Sequence, residues 1–139
     1  MSDSLKVHAR NDESTIPPAC RKADDWLRLN GVASDTRNLV GLTIEELVSN
    51  CIKHAYDDNR EHVIEFVLTV SGHSLTILVV DDGRAFDPST APQPDLSQAI
   101  EDRPIGGLGI HLLREFSDSM SYERRDDRNR LTLTKKLKS

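Results

Sequence analysis

The sequence has little of what extracellular, disulfide-stabilised proteins depend on. Only two cysteines occur among its 139 residues, Cys20 and Cys51, and they show neither CxxC spacing nor a disulfide framework. The first residues, MSDS, lack the basic and then apolar layout of a secretory signal peptide. We therefore expect a cytoplasmic protein in which both cysteines are reduced and lie in or near the core.

Long apolar runs and an excess of positive charge are also absent. The longest apolar stretches span only a few residues, as at 77–80, whereas a membrane-spanning helix needs about 20. Lysine and arginine number 18 against 23 acidic residues, and the net charge of -5 argues against general nucleic-acid binding. The sequence thus predicts no membrane segment and no nucleic-acid partner, and any anionic ligand would have to be held by local groups.

What the sequence does contain is an alternation of strand and helix patterns within the length of a single domain. The order is β-α-α-β-β-loop-α-β-β, and the loop at 82–104 carries four prolines. A loop of that length inside a compact domain is usually functional. This order predicts an α/β sandwich (α+β) with a mixed, mostly antiparallel sheet and helices on one face. The predicted strands cover 5–9, 62–70, 74–80, 120–123 and 131–137, and the predicted helices cover about 17–30, 34–56 and 106–116.

One face of the second predicted helix concentrates polar groups. At about 100° per residue, Glu46, Asn50, Lys53 and Asp57 fall within roughly 60° of one another, and His54 lies beside them. Apolar residues occupy the opposite side of the helix. Because many amphipathic helices present such a face only to water, this spacing by itself leaves both a solvated surface and a binding site open.

Two glycine-bearing turns follow in the sequence. The apolar strand at 74–80 ends in Asp-Asp-Gly at 81–83, which sets a carboxylate and a conformationally permissive residue at one edge of the sheet. The segment Gly-Gly-Leu-Gly at 106–109 opens the third helix, where glycines allow close backbone approach and free N–H groups attract phosphate. Each turn alone is common, but together with the polar helix face they indicate a ligand site.

Several familiar catalytic motifs are missing from the chain. There is no GxxxxGK[ST] phosphate loop, and the GxGxxG pattern fails because Leu112 stands where its third glycine or alanine belongs. The histidines form no HExxH motif, the stretch 81–94 lacks calcium-loop spacing, and no serine lies in a GxSxG elbow. These absences argue against a zinc hydrolase, a calcium-binding hand and a serine hydrolase.

Three segments, taken in order, resemble the GHKL ATPase superfamily, the Bergerat fold of gyrase, histidine kinases and MutL. They are EELVSNCIKHAY (45–56), VVDDGRAFDP (79–88) and GGLGIHLLREFSD (106–118), and they match that superfamily's N box and two glycine boxes. Within it the chain is most similar to the small anti-sigma-factor serine kinases. The resemblance implies one histidine-kinase-like ATP-binding domain over 1–139 that uses ATP and Mg²⁺.

The resemblance implies a role for each matching residue of the helix face. Asn50 matches the family's magnesium ligand, and an amide oxygen suits a hard cation. Glu46, one turn earlier, matches the general base for phosphoryl transfer from ATP to a serine hydroxyl. Lys53 and His54 match N-box positions that line the nucleotide, where Lys53 would offset phosphate charge.

The adenine end of the nucleotide is implied to meet the first glycine box. Asp81 matches the carboxylate that accepts from the adenine amino group, and Gly83 allows the base to sit close. Asp82 competes with Asp81 for this role, but only Asp81 has the D-x-G spacing. The family's late-strand threonine, which lies beside that aspartate, has three candidate positions here: Leu131, Thr132 and Thr134.

The phosphate end is implied to meet the second glycine box and the loop before it. Gly107, Leu108 and Gly109 match the segment whose backbone faces the phosphates. The loop at 88–105 matches the ATP lid, and Arg103 within it is a candidate contact of the terminal phosphate.

The function implied by the resemblance is that of an ATP-dependent serine kinase and anti-sigma factor. Such a protein phosphorylates a small anti-anti-sigma (STAS-type) protein, sequesters a sigma factor and forms a homodimer. An ATP-binding switch with little or no transfer is the alternative, but Glu46 argues against it because a pure binder needs no base. The catalytic part of a histidine kinase is disfavoured because the chain shows no dimerisation helices and no phosphoacceptor module.

Overall fold

The computed structural model describes residues 2–88 and 107–137, which form one five-stranded sheet with its covering helices. The order of strands and helices is the one that the sequence predicts. The elements are β1 (Ser2–Arg10), a short 3₁₀ turn (Glu13–Thr15), α1 (Ile16–Leu29), α2 (Ser34–Asn50), a π-helical turn (Cys51–Ala55), β2 (Val63–Ser71), β3 (Ser74–Asp81), α3 (Gly107–Phe116), β4 (Ser119–Arg125) and β5 (Arg128–Lys136).

The sheet has the strand order β1-β2-β3-β5-β4, and its four pairings are all antiparallel. Alternate residues of each central strand are buried, as in β2, where Ile64, Phe66 and Leu68 have no exposed surface. These side chains belong to one core cluster with residues of the helices, such as Leu27 and Ile44. The predicted α+β sandwich with helices on one face is therefore confirmed. The sheet, which the sequence predicted to be mixed and mostly antiparallel, is antiparallel at every pairing in the described residues.

Local sequence explains where the first helix begins and ends. Pro17 and Pro18 lie in its first turn, where a missing N–H leaves no helical hydrogen bond unmade. Gly31 follows the helix with a φ of 74°, a left-handed conformation that glycine adopts without strain. Between these ends, Ala23 and Leu27 recur at helical spacing and bury one side of α1.

The second helix is shorter than the polar pattern predicts. α2 ends at Asn50, and the chain continues as the π-helical turn Cys51–Ala55, so the prediction of one helix as far as residue 56 is wrong at its end. A π turn closes i to i+5 hydrogen bonds and has a different angular step from an α turn. The regular step of 100° per residue, on which the predicted polar face rests, therefore applies only as far as Asn50.

The closing hairpin is tighter than the sequence pattern predicts. A two-residue turn, Asp126-Asp127, joins β4 and β5 where we expected a charged turn over 124–129. Both aspartates have positive φ, 54° and 60°, as two-residue turns between twisted antiparallel strands require. Because the strands extend this far, Asn129 belongs to β5 and pairs with Asp81 of β3.

The cysteines lie where the sequence predicts. Both are free thiols, with Cys51 buried and Cys20 partly buried. Burial is the main cause of the raised pKa of the Cys51 thiol, and the nearby Asp81 adds to it. In the described part of the chain, no helix has both the length and the apolar composition needed to span a membrane.

Candidate functional site

A pocket lies between the C-terminal end of α2 and the edge of the sheet where β3 ends. Its lining brings Asn50 and His54 from the helical side together with Asp81, Asn129 and Leu131 from the sheet. Most of the other residues around it are apolar. An apolar cleft with a few converging polar groups is the usual form of a small-molecule site.

Asp81 is the carboxylate of this pocket. Its Oδ1 accepts hydrogen bonds from the backbone N–H of Gly83 and from Nδ2 of Asn129, both at 2.9 Å. Burial raises the pKa of Asp81, while these two hydrogen bonds and the charge of Arg124 oppose the rise. Asp81 thus offers a partly desolvated acceptor to whatever enters the pocket.

Asp82, the next residue in the sequence, does not line the pocket. Asp82 is exposed, and its Oδ1 lies 3.1 Å from Nδ1 of His62, whose Nε2 lies 2.8 Å from Oδ1 of Asp58. The His62 ring stacks on Tyr56 with centroids 3.9 Å apart. Successive residues at the end of a strand face opposite ways. Asp82 therefore contacts His62 at the surface, and of the two aspartates only Asp81 lines the pocket.

Asn129 is a residue of the pocket that the sequence reasoning missed. Its side chain is 7% exposed, and its Nδ2 donates to Asp81 and to the carbonyl of Arg84, both at 2.9 Å. Its Oδ1 accepts from the hydroxyl of Tyr122 at 2.5 Å. The expected six-residue turn hid this signal, because an asparagine in a turn is ordinary, whereas a buried one in a strand opposite an aspartate is not.

The candidates for the family's late-strand threonine are resolved by the register of β5. Thr132 pairs with Leu78 and Thr134 with Thr76, on the sheet face away from the helices, so neither faces the pocket. Leu131 pairs with Val79 and lines the pocket. The polar group beside Asp81 is instead supplied by Asn129.

Gly83 is required by close packing between the segment after β3 and the π turn. A β-carbon on Gly83 would stand 2.5 Å from Cβ of Ala55 and 3.1 Å from the Ala55 carbonyl oxygen. That same carbonyl accepts a hydrogen bond from the N–H of Arg84 at 2.9 Å. Only a residue without a side chain lets these two segments close one wall of the pocket.

Glu46 lies half-buried in α2, beneath the first turn of α3. A β-carbon on Gly109 would overlap the Glu46 carboxyl group, at 1.9 Å from both Cδ and Oε2. Burial and the adjacent Glu45 raise the pKa of Glu46, and Lys53 lowers it. The structure therefore brings Gly109 against Glu46 and places Lys53 close enough to lower the Glu46 pKa.

Asn50 carries unused hydrogen-bonding capacity at the pocket. Its Nδ2 is buried without a hydrogen-bond partner, which is uncommon for a buried amide and points to a missing ligand or water. Lys53 and His54 are both exposed on the π turn, and of the two only His54 lines the pocket. The end of the pocket beside Asn50 is therefore polar, and one donor there, Nδ2 of Asn50, has no hydrogen-bond partner among the described residues.

The remaining predicted residues are described in part or not at all. Gly107 begins α3, and the backbone of Leu108 continues it. The described residues do not include 89–105, which hold most of the lid and Arg103, and they do not include the side chain of Leu108. The roles of these residues therefore stay predictions.

Comparisons with known proteins show which family the chain is similar to. A family model described as the histidine kinase-like ATPase domain matches residues 9–135. The serine/threonine-protein kinase BtrW of Bordetella bronchiseptica is 34% identical over 93 residues, 67% of this chain and 66% of that protein. The serine-protein kinase RsbW of Bacillus velezensis is 28% identical over 108 residues, 70% of this chain and 67% of that protein.

Two further similarities concern an anti-sigma factor and a solved structure. The anti-sigma F factor of Thermoanaerobacter sp. is 32% identical over 81 residues, 58% of this chain and 55% of that protein. The chain therefore spans less than two thirds of the length of BtrW and of this anti-sigma factor. The crystal structure of the RsbU and RsbW domains of Rv1364c from Mycobacterium tuberculosis superposes with a TM-score of 0.65 at 16% identity, covering 97% of this chain and 32% of that one, and so shows a shared fold.

Proposed function

Because this chain belongs to the histidine kinase-like ATPase domain family, we propose that it is an ATP-dependent serine kinase and anti-sigma factor. It phosphorylates a serine of a small anti-anti-sigma protein of the STAS type and sequesters a sigma factor. Relatives named as serine kinases and as anti-sigma factors support the two halves of this proposal. The observation that carries the kinase half is the position of Glu46, which lies in α2 one turn before Asn50 and contacts the first turn of α3.

The adenine base occupies the end of the pocket beside Asp81. Membership of an ATPase family implies that the nucleotide is ATP. The exocyclic amino group of adenine donates to the Asp81 carboxylate. Gly83 lets the segment after Asp81 pack closely against Ala55, which forms the wall of the pocket beside the base. The apolar lining, including Val79 and Leu131, covers the faces of the base.

The phosphates extend towards α3 and the end of α2. The first N–H groups of α3, which begins at Gly107, face the phosphates together with Leu108 and Gly109. Lys53 and His54 lie on the π turn beside them, and Lys53 offsets part of the phosphate charge. Arg103 of the lid is proposed to reach the terminal phosphate.

Asn50 is proposed to hold Mg²⁺, which neutralises phosphate charge when bound. The residue type fits such an ion through its side-chain oxygen, because Asn50 lines the pocket and an amide Oδ1 is an oxygen ligand of the kind that Mg²⁺ takes. The unpartnered Nδ2 of Asn50 is a donor and suits a phosphate oxygen instead. In the described part of the chain no group of three or more histidine, cysteine or acidic side chains is arranged to hold a metal. This agrees with a cation held mainly by phosphate and water and by one protein oxygen.

Glu46 accepts the proton of the attacking serine hydroxyl. As the serine oxygen bonds to the γ-phosphorus, the bond from that phosphorus to the β–γ bridging oxygen breaks, and its electron pair leaves with ADP. The raised pKa of Glu46, caused first by burial, makes it a stronger base than an exposed carboxylate.

From the resemblance to anti-sigma kinases we also propose that the protein is a homodimer and is cytoplasmic. Sedimentation of the full chain, alone and with each partner, tests the homodimer and the two protein complexes. A species that stays at the mass of one chain at micromolar concentration would contradict the homodimer.

A second candidate function is an ATP-binding switch that acts by protein binding without transfer. The contact between Glu46 and Gly109 favours it, because packing of α3 against the half-buried carboxylate reduces the space through which a partner serine could approach. In this alternative Asp81 and Asn50 bind ATP as before, and the protein partner responds to nucleotide occupancy alone.

Incubation of the full chain with γ-labelled ATP, Mg²⁺ and candidate STAS-type proteins separates the two functions. We expect label on a partner serine, lost by about 10²–10⁴-fold in Glu46→Ala. Glu45→Ala is the matched control, because Glu45 is the adjacent exposed carboxylate and should leave transfer within a few-fold. ATP binding with no transfer to any candidate would favour the switch, and unchanged ATP affinity in Asn50→Ala would contradict the site.

A further inference from the structure

The side-chain amide of Asn129 is saturated by the protein itself. Nδ2 donates to Oδ1 of Asp81 and to the carbonyl of Arg84, both at 2.9 Å, with the Gly83 carbonyl at 3.4 Å. Oδ1 accepts from the Tyr122 hydroxyl at 2.5 Å and from the N–H of Phe86 at 3.4 Å. An asparagine amide has two N–H donors and two lone pairs, so Asn129 has nothing left to offer a ligand.

The chemistry of these partners sets the orientation of the amide. The Asp81 carboxylate and the two carbonyls can only accept, whereas the N–H of Phe86 can only donate. A flipped amide would turn its oxygen towards three acceptors and its NH₂ group towards a donor. The Tyr122 hydroxyl completes this arrangement by donating to Oδ1, so it stabilises the orientation in which Asn129 faces Asp81.

The arrangement divides the two oxygens of Asp81 between the protein and the pocket. Oδ1 receives both Asn129 Nδ2 and the N–H of Gly83 at 2.9 Å. Within residues 2–88 and 107–137, no hydrogen bond reaches Oδ2. The carboxylate is therefore held by one oxygen, and the other oxygen is left to accept from a ligand.

We propose that Asn129, oriented by Tyr122, is a positioning residue that makes the pocket selective for a purine with an amino group at C6. It occupies Oδ1 of Asp81, so Oδ2 alone meets the base. This inference rests on the proposed function, since it assumes that Asp81 faces the nucleotide base. Neither Asn129 nor Tyr122 lies in the three motif segments. Both belong to the closing hairpin formed by β4 and β5.

The selectivity follows from what a carboxylate can and cannot do. An ionised Asp81 only accepts hydrogen bonds. Adenine offers an N–H donor at C6, whereas hypoxanthine and guanine offer an oxygen that the carboxylate repels. A polar group that the wrong ligand leaves without a hydrogen bond discriminates between ligands more strongly than an apolar pocket does. For Asp81 this discrimination between nucleotides depends on Oδ2 staying in one position.

The test compares nucleotides that differ only at C6, by calorimetric titration of the full chain with Mg²⁺. The probes are ATP, inosine triphosphate and purine riboside triphosphate, which carries hydrogen at C6. In Asn129→Ala we expect ATP affinity to fall about tenfold, with less than a twofold change for purine riboside triphosphate. Tyr122→Phe should lose part of the same preference, and Asn129→Thr, which keeps one donor, should restore part of it.

Two comparisons separate a positioning role from a structural one. Thr132→Ala is the matched control on the outer face of β5 and should leave all three affinities unchanged. In an Asp81→Asn background, Asn129→Ala should cause no further loss of C6 preference. Thermal unfolding of each variant reports its folded fraction, and Tyr122→Phe tests the proposal if Asn129→Ala does not fold.

The outcomes are distinct for this inference and for the function on which it rests. An equal loss of affinity for all three nucleotides, or an unchanged preference in Asn129→Ala and Tyr122→Phe, would overturn the positioning role alone. Failure of the wild-type chain to bind ATP, or ATP affinity unaffected by Asp81→Asn, would overturn the proposed nucleotide site as well.

Discussion

Gly109 lies so close to Glu46 that a β-carbon on the glycine would stand 1.9 Å from the glutamate's carboxyl carbon. The first turn of α3 is thus packed directly on the candidate base of α2. This contact couples the phosphate-facing segment to the residue that would receive the serine proton. Any shift of α3 therefore changes both the environment and the accessibility of Glu46.

Gly109→Ala should displace the Glu46 carboxylate without unfolding the protein. The overlapping atoms are the end of a flexible side chain, and alanine gains up to about 1 kcal/mol over glycine in a helix. We expect partner phosphorylation to fall at least about tenfold, towards the loss in Glu46→Ala, with ATP affinity within about threefold as in other pure transfer defects. Gly41→Ala in α2, where a β-carbon meets nothing within 4 Å, is the control. Normal transfer in Gly109→Ala would exclude Glu46 as the base in this position.

The pH dependence of transfer should respond in opposite directions to the two charges near Glu46. Burial first and Glu45 second raise the pKa of Glu46, and Lys53 lowers it. A base works in its ionised form, so kcat rises as pH passes the pKa of Glu46. Glu45→Gln should move this acidic limb to lower pH, and Lys53→Gln should move it to higher pH. Profiles of kcat at saturating ATP measure both, and shifts in the same direction would contradict the assignment.

Gly83→Ala should destabilise the protein through a collision with one methyl group. Its β-carbon would stand 2.5 Å from Cβ of Ala55, and overpacking of this kind costs about 1–3 kcal/mol. Ala55→Gly removes the methyl group with which the new β-carbon collides. The double variant should therefore recover part of the lost free energy of unfolding. Urea unfolding of both single variants and the double variant gives the coupling energy, expected at about 0.5–3 kcal/mol for residues in contact. Additive losses would show that the collision with Ala55 is not the cause.

His62→Gln should change how stability depends on pH near neutrality. The hydrogen bond that His62 donates to Asp58 is the main cause of the raised pKa of His62, burial opposes the rise, and Asp82 adds to it. A raised histidine pKa contributes stability that is fully present below the unfolded value of about 6.5 and is lost as pH rises through the folded value. The free energy of unfolding of the wild type should therefore fall, relative to His62→Gln, as pH increases from about 6.5. Stability curves of the wild type and of His62→Gln that run parallel over this pH range would contradict the role of His62.

Much of the fold and part of the site follow from local sequence patterns. The alternation in 62–80 and the helical spacing in α1 depend on neighbours a few residues apart, so they predict the elements with errors of one or two residues. The predictions fail where local geometry departs from a regular repeat. The π turn after Asn50 changes the angular step, and positive φ at two aspartates shortens the hairpin turn.

Local sequence is enough to establish which residue types the site can use and in what order they occur. Glu46 and Asn50 share a helix face because they are four residues apart, and Gly83 lies two residues after Asp81 in any fold. The contacts of Asn129 with Asp81, 48 residues away, and of Gly109 with Glu46 exist only in the folded chain. Strand register and helix packing set such contacts, and a one-residue change in the length of the β4–β5 turn would turn Asn129 to the other face of the sheet.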